Sequence, residues 1–340
     1  MKSSYSSDRH YLERLIEPNL SSVMLIFGLS IVLWLLGYAF QPQEVWNCEP
    51  SSPIDCLISE RVDSMSFSGY FLGWVSVLAV AVMLFALNER DNMISQRTIL
   101  PIFFYVLLMG ANVNAQSFVT SSVSNVFVLL AMHNVFSGYR QFYPVRSTFN
   151  MGAYLALASL FCEEYLLLLP FFCLGMLRLN TLSLRTFFAG LLGLLAVYSL
   201  LFGSMYLIDD EFALTVYEEY ASFFYVPAPE YEVNVLILLF YGAQSVCLLF
   251  AVMSIFSRNY VDNMKGSKLL GVVIMLLIGA ILMFHLFTNK MPSFYPLLAM
   301  LESILFAHYF TLHKSMFSRI IFLTLACSAT LYFLNAIIFQ

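Results

Sequence analysis

The chain has 340 residues, of which 60% are hydrophobic and only 11% are charged, and its formal net charge is −5. Ordinary soluble domains carry about 25% charged residues and about 45–50% apolar residues. The composition therefore excludes a soluble globular protein, and it leaves too few charges for an extramembrane catalytic domain of about 100 residues. The acidic balance also argues against nucleic acid as a partner.

The first 20 residues contain no signal-peptide pattern, because acidic residues interrupt them before the first apolar run. Four apolar residues between Tyr11 and Ile16 share one face at helical spacing, and Pro18 then breaks the run. This pattern predicts a cytoplasmic segment over residues 1–20 that lies on the inner membrane surface. A tail that packs on the loops is the alternative.

Runs of apolar residues predict the membrane spans, because about 20 such residues are needed to cross a hydrocarbon core of about 30 Å. The full-length runs are Ser21–Phe40, Phe67–Leu87, Thr120–Phe136, Phe187–Leu207, Val233–Phe256, Ser267–Phe287, Pro292–Leu312 and Ser318–Phe339. A shorter run lies in Leu100–Val119. The stretch from Phe149 to Arg178 is too long for one helix, so two helices are predicted, Phe149–Cys162 and Tyr165–Leu177.

The predicted fold class is therefore an all-α, polytopic transmembrane bundle of about eleven spans, including two pairs with short helices, in a single domain over residues 1–340. Basic residues in short loops accumulate on the cytoplasmic side. With the N-terminus inside and the C-terminus outside, all of the 16 Lys and Arg residues except Arg61 and Lys290 fall inside. Merging the two helices of Phe149–Arg178 would move Arg178 and Arg185 outside, so the two-helix interpretation is preferred.

The first outside loop spans residues 41–66 and contains two cysteines, Cys48 and Cys56. Two prolines between them and an oxidising compartment favour a local disulfide. Two unpaired thiols are the alternative. The same loop contains three carboxylates, Asp55, Glu60 and Asp63.

A second outside segment spans residues 208–232. Between Phe212 and Phe224, aromatic and apolar residues recur on one helical face while acidic residues occupy the other. The pattern predicts an interfacial amphipathic helix that ends at Pro227. It fits a lid over loop ends or the border of an opening for a lipid-like substrate, and both interpretations stay open.

Two polar turns join the short helices. Asn112, Asn114 and Gln116 form one, and Glu163 and Glu164 form the other. Both turns face outside in the predicted threading, so they indicate an outward cavity lined by irregular backbone. Polar caps that satisfy the free backbone groups of short helices are the alternative. Adjacent glutamates point about 100° apart on a helix, so a shared role for the pair requires that both lie in the turn itself.

Glu302 lies near the middle of the predicted span Pro292–Leu312, where a carboxylate costs a few kcal/mol unless it is neutral, paired or next to water. Tyr295 and Tyr309 lie seven residues to either side on the same helical face, and His285 on the preceding span is a candidate to join them. The stripe fits a proton relay or a substrate contact. A carboxylic acid hydrogen-bonded to a neighbouring helix is the alternative.

Between Asn125 and Leu207 the sequence resembles a known family. Phe-Asn-Met-Gly-Ala-Tyr-Leu-Ala-Leu-Ala-Ser-Leu-Phe at 149–161, the Leu-rich helix after Glu164, and Leu-Ser-Leu-Arg-Thr-Phe-Phe-Ala-Gly-Leu-Leu-Gly-Leu at 182–194 are similar to uncharacterised bacterial polytopic inner-membrane proteins. More distantly, the aromatic-x-x-Gly start and the paired short helices resemble the glycosyltransferase C superfamily. That resemblance implies sugar transfer from a polyprenyl-phosphate carrier at the outer face, with a carboxylate of the first outside loop as base or metal ligand.

Three functions follow as hypotheses. The first is a glycosyltransferase-like enzyme on a lipid-linked substrate, with Asp63 or Glu60 as base and the glutamate pair lining the cavity. The second is a proton-coupled transporter or lipid flippase that uses Glu302. The third is a non-catalytic membrane component that stabilises or assembles an envelope complex. Membrane lipids are the expected partners in each case. The sequence has no motif for a nucleotide, zinc or other cofactor, and a divalent cation has no support beyond the carboxylates.

Overall fold

The computed structural model describes residues 19–40, 52, 66–94, 96–116, 119–141, 143–208, 235–256, 264–287, 291–313 and 315–338. Within these ranges the regular structure is helical, and no strand occurs. The α-helices in chain order are α1 (Leu20–Ala39), α2 (Phe67–Asp91), α3 (Leu100–Ala111), α4 (Val113–Gln116), α5 (Val119–Ser137), α6 (Val145–Phe161), α7 (Leu169–Arg178), α8 (Leu184–Ile208), α9 (Val235–Phe256), α10 (Met264–Leu286), α11 (Met291–Leu312) and α12 (Met316–Ile338). A 3₁₀ helix, Glu163–Leu168, precedes α7.

Seven helices of the described chain are long and apolar enough to cross a membrane, namely α1, α2 and α8 to α12. They correspond to seven of the predicted spans, so the protein is an all-helical membrane protein. The other four predicted spans are the two short-helix pairs, which form α3, α5, α6 and α7. Two of these four helices have only 12 and 10 residues. That each of these four helices crosses the membrane stays a prediction.

The second short pair differs from the prediction at its turn. Tyr165–Leu177 was predicted as one helix, but Tyr165 to Leu168 belong to the 3₁₀ helix and α7 begins only at Leu169. The physical reason is Pro170 in the first turn of α7. Proline has no backbone N–H and its ring crowds the carbonyl four residues earlier, so Pro170 cannot make the α-helical hydrogen bond to Leu166 that would extend α7 towards Tyr165. Tighter 3₁₀ bonds take over there.

Helix α11 lies at the centre of the bundle. In its most apolar stretch 94% of the residues are buried, against 22% to 61% in the other six long apolar helices. It packs against α3, α5, α9 and α10. Phe310 of α11 stacks on Phe104 of α3 at 5.3 Å between ring centres, and Phe306 meets the same ring edge-on. Polar residues of α11 therefore face other helices and not lipid.

The most extensive helix contact joins α6 and α8, and glycines make it possible. A Cβ on Gly152 would collide with the backbone oxygen of Gly190, and a Cβ on Gly193 would collide with that of Phe149. The backbones can approach this closely only because no side chain intervenes.

The basic residues of the described chain lie at one end of the bundle. Met93, just after α2, contacts Gly266 in the first turn of α10. Lys268 of that same helix end lies 5.5 Å from the Tyr139 ring, between α5 and α6. Arg178, at the end of α7, lies against Gly271 of α10. The segment from α6 to α7 therefore starts and finishes at this end, which we call the basic end.

Several predicted segments fall outside the described residues. These are residues 1–18, the outside loop except Ser52 and Ser66, and residues 209–232 of the second outside segment with its predicted amphipathic helix. The loop residues Cys48, Asp55, Cys56, Glu60 and Asp63 are among them. The disulfide, the loop carboxylates and the amphipathic helix therefore stay predictions.

Candidate polar site at the centre of the bundle

Glu302 is the acidic residue at the centre of the molecule. It lies in the middle of α11 and is 3% exposed. Its Oε2 atom has no hydrogen-bond partner among the described residues. Tyr241 and Cys247 of α9, and Tyr295 of α11, lie close enough to interact with its charge. A carboxylate thus lies among hydroxyl and thiol groups inside the bundle, as expected of a residue that cannot face lipid.

Tyr295 ties three helices together beside Glu302. Its hydroxyl donates to the Leu108 carbonyl oxygen of α3 at 3.1 Å and accepts from the Gln244 amide of α9 at 3.1 Å. The Gln244 Oε1 atom has no further partner in the described chain. Buried polar groups normally have their hydrogen bonds satisfied. Glu302 and Gln244 each have one oxygen without a partner in the described chain. Another polar group could therefore form hydrogen bonds in this region.

A second polar group lies between α3, α5 and the 3₁₀ helix. The Tyr165 hydroxyl donates to Asn125 Oδ1 at 3.1 Å. The Tyr105 hydroxyl lies beside Asn125 and Ser122, and both tyrosines are fully buried. At the start of α5 the hydroxyls of Thr120 and Ser121 are buried and have no partner among the described residues. Since Tyr105 and Leu108 are one turn apart on α3, this group adjoins the Glu302 region.

The two glutamates of the 3₁₀ helix point to different neighbours. Glu163 is half-buried and lies near Tyr198 of α8. Glu164 is buried, and its Oε2 accepts a hydrogen bond from Cys162 Sγ at 3.3 Å. Glu164 also lies near Tyr165 and so borders the second polar group. Both glutamates lie in the turn, but their side chains have different neighbours. Glu164 lies next to the central polar groups, and Glu163 lies near α8.

The other predicted turn is organised by Gln116. Its amide nitrogen donates to the Gly110 carbonyl at 2.7 Å and to the Leu33 carbonyl of α1 at 3.4 Å. Its Oε1 packs against Gly37, where a Cβ would overlap it. Gln116 therefore caps the end of α3 and binds α1, which is the capping alternative for this residue. Asn112 ends α3 and lies beside Tyr241. Asn114 lies in α4, and its side chain is outside the described part.

The remaining predicted residues do not join Glu302. Tyr309 is buried, but its ring stacks on His313 at 4.7 Å and meets Phe310 edge-on, towards the basic end. His285 is exposed and its ring packs edge-on against Phe284. Of the residues in the predicted stripe, Tyr295 is the one whose described contacts lie beside Glu302. His285 does not enter it, because its position on α10 faces outward.

Sequence reasoning missed Tyr105, Asn125, Tyr165, Tyr241 and Gln244. Two signals for them were present. Thr-Ser-Ser-Val-Ser-Asn at 120–125 is unusually polar for a span, and Gln244 interrupts an apolar run. The tyrosines carried no such signal, because aromatic residues are abundant throughout this chain. The hydrogen bonds of a tyrosine hydroxyl depend on which group of a neighbouring helix lies beside it.

Within the described ranges, no three His, Cys, Asp or Glu side chains lie close enough to hold a metal ion. The central groups are hydroxyl, amide, thiol and carboxyl groups. Their chemistry suits hydrogen bonding to a polar substrate and proton exchange at Glu302.

No curated protein and no solved structure matches the chain. A family model matches residues 55–339, which cover the chain from the first predicted outside loop to the end of α12. The matched region includes both short-helix pairs and the central α11. The chain therefore belongs to the family of unknown function DUF6427.

Proposed function

We propose that the protein is a proton-coupled transporter or lipid flippase in which Glu302 is the group that takes up and releases the proton. The observation that carries this proposal is the position of Glu302, a carboxyl group in the most buried helix with an oxygen that no described residue binds. A carboxyl group kept only for packing would normally have its hydrogen bonds satisfied by a neighbouring helix. Ionisable residues inside membranes commonly serve substrate or proton pathways.

The broken helices support the same function. Helices α3 and α4 are interrupted at Asn112, and α6 and α7 are separated by the 3₁₀ helix. Discontinuous helices near the middle of the membrane are typical of secondary transporters, because they present backbone and polar groups to a substrate. The polar groups around Tyr295 and Tyr165 lie beside these breaks.

The test uses the full-length protein in vesicles of phosphatidylglycerol and phosphatidylethanolamine. Proton entry is measured with an internal pH-sensitive dye, and lipid movement by quenching of a fluorescent phospholipid. Between about pH 5 and pH 8 we expect a pH-dependent rate in the native protein and a rate at least about tenfold lower and independent of pH in Glu302→Gln. Glu89→Gln is the matched control, since Glu89 pairs with the exposed Arg97 at 3.6 Å and lies at the basic end.

Equal rates in the native protein and Glu302→Gln over this pH range would refute the proposal, as would the absence of both activities from the native protein. A thermal unfolding curve of each variant shows whether a lost rate reflects a lost fold. Co-purification of an envelope protein with an inactive native chain would instead favour the assembly component.

A second candidate function is glycosyl transfer from a polyprenyl-phosphate carrier at the outer leaflet. The observation that favours it is the start of α5, where the buried hydroxyls of Thr120 and Ser121 have no partner in the described chain. Helix N-termini attract phosphate groups. This activity requires a base, for which Asp63 or Glu60 is proposed. Loss of a lipid-linked sugar product in Asp63→Asn, with Glu302→Gln unaffected, would favour the enzyme over the transporter.

We further propose that the protein resides in the inner membrane of a bacterium with its basic end in the cytoplasm. The clustering of Arg140, Arg178, Arg185 and Lys268 near this end supports that orientation through the positive-inside rule.

A further inference from the structure

The basic end contains a half-open cavity of about 580 Å³. It lies where the last turns of α7 and α9 meet the first turns of α10. Two cationic residues line it, Arg178 and Lys268, together with Asn180, Ser254 and Ser267. None of the residues that line it belongs to α11, and nothing in the transport proposal uses the cavity.

Packing positions both cationic side chains. The Arg178 Nε atom lies 3.2 Å from the place where a Cβ on Gly271 would be, so the guanidinium arm lies against α10. Gly271 is one turn after Lys268, which brings the two cations to the same helix end. The Lys268 ammonium lies 5.5 Å from the centre of the Tyr139 ring. Neither cation has an acidic side chain within ion-pair distance in the described part of the chain.

The polar lining completes an anion-binding environment. Asn180 and Ser267 supply an amide and a hydroxyl. The first turn of the 23-residue helix α10 also lies here, and its first backbone N–H groups have no partner within the helix. Two cations, hydrogen-bond donors and a helix N-terminus together suit a phosphate group.

The rim of the cavity is apolar and exposed. Leu177 is 53% exposed and Met264 is 78% exposed. In a membrane protein, exposed apolar residues of this kind suit contact with the acyl chains of lipids. A lipid with its phosphate group in this cavity would therefore have an apolar surface beside it for its acyl chains.

We propose that this cavity binds the phosphate group of an anionic phospholipid, with the acyl chains lying along the apolar rim. In this proposal, Arg178 and Lys268 contact the oxygens of the phosphate group. A soluble phosphate has the same chemistry, and the test below separates the two sources.

The test measures phospholipid binding to the purified full-length protein in detergent by native mass spectrometry, with phosphatidylglycerol and phosphatidylcholine of identical acyl chains as probes. We expect the native protein to prefer phosphatidylglycerol, and Arg178→Gln/Lys268→Gln to weaken its binding by about tenfold or more. Arg146→Gln/Arg185→Gln is the matched control. It removes the same charge from two exposed arginines at the same end but outside the cavity lining.

Arg178→Lys/Lys268→Arg keeps both charges. Because the attraction to an anionic headgroup depends on those charges, this variant is expected to bind phosphatidylglycerol within about threefold of the native protein. An equal loss in the control pair, or no loss in the cavity pair, would overturn the proposal. Displacement of the lipid by an equal concentration of inorganic phosphate would identify free phosphate as the ligand and overturn the lipid assignment. Unfolding curves of all variants show that each binding change occurs in a folded protein.

Discussion

At the scale of single residues, the polar side chains of the bundle divide into those that hold it together and those with unused capacity. Gln116 belongs to the first kind, because its amide nitrogen binds two backbone carbonyls. Glu302 belongs to the second, because its Oε2 atom has no partner among the described residues. The side-chain oxygens of Gln116 and Gln244 lack a partner there as well, but the amide nitrogens of both residues bind a neighbouring helix. The sequence shows all three as polar residues in apolar surroundings. Their roles differ only through the groups that face them.

Tyr295→Phe tests the residue that joins three helices. The change removes the donor to Leu108 and the acceptor of the Gln244 amide, so two buried groups lose a partner. We expect the free energy of unfolding in detergent to fall by about 1 to 3 kcal/mol. The control is Tyr154→Phe, a half-buried tyrosine that makes no side-chain hydrogen bond in the described structure. Equal stability of the two variants would contradict the bridging role.

At the scale of helices, the sequence predicted most elements well, because long apolar runs and the spacing of basic residues carry strong signals. The limits of α1, α5 and α10 lie within a few residues of the predicted spans. The turn at 163–168 was less predictable. Pro170 signalled a break, but only the observed backbone shows that the preceding residues adopt a 3₁₀ helix and place Tyr165 against Asn125.

The crossing of α6 and α8 gives the prediction at this scale. In Gly193→Ala the new methyl group would collide with the backbone oxygen of Phe149, which cannot rotate away. We expect a loss of about 1 to 3 kcal/mol in the free energy of unfolding. Gly203→Ala on the same helix is the matched control, since no atom lies within 4 Å of the new methyl group. Its effect should stay within about 0.5 kcal/mol, measured by thermal unfolding in detergent. Similar melting temperatures for both variants would show that the close approach of α6 and α8 is not required.

At the scale of the whole molecule, the described contacts between helix ends show which helices start at the same end of the bundle. Phe322, early in α12, stacks on Phe103, early in α3, so both helices start at the basic end. Helix α11 runs the opposite way and brings Phe310 to Phe104 near that end. Helix α1 reaches the other end, where Gly37 meets Gln116. The N-terminal side of α1 and the start of α12 therefore share the basic end.

This arrangement makes a prediction about orientation. Alkaline phosphatase fused after Gln340 is expected to be active and green fluorescent protein at the same place to be dark, because α12 runs from the basic end to the opposite side. The same two reporters fused before Met1 should behave in the reverse way, and they serve as the control. A bright fluorescent fusion after Gln340 would reverse the proposed orientation or require a different number of crossings.

The sequence by itself determined that this is an all-helical membrane protein, where its long apolar helices lie, and which residues cluster at the basic end, because hydrophobic length and charge are local properties of the chain. Tertiary structure alone decided which polar residues meet. Tyr105, Asn125 and Tyr165 are far apart in the sequence and converge only because α3, α5 and the 3₁₀ helix pack together. The separation of Glu163 from Glu164, and of His285 from Glu302, follows from the same packing. Which groups a side chain contacts depends on the helix that packs against it. The residues of that helix are distant in the sequence, so the local sequence does not specify the contact.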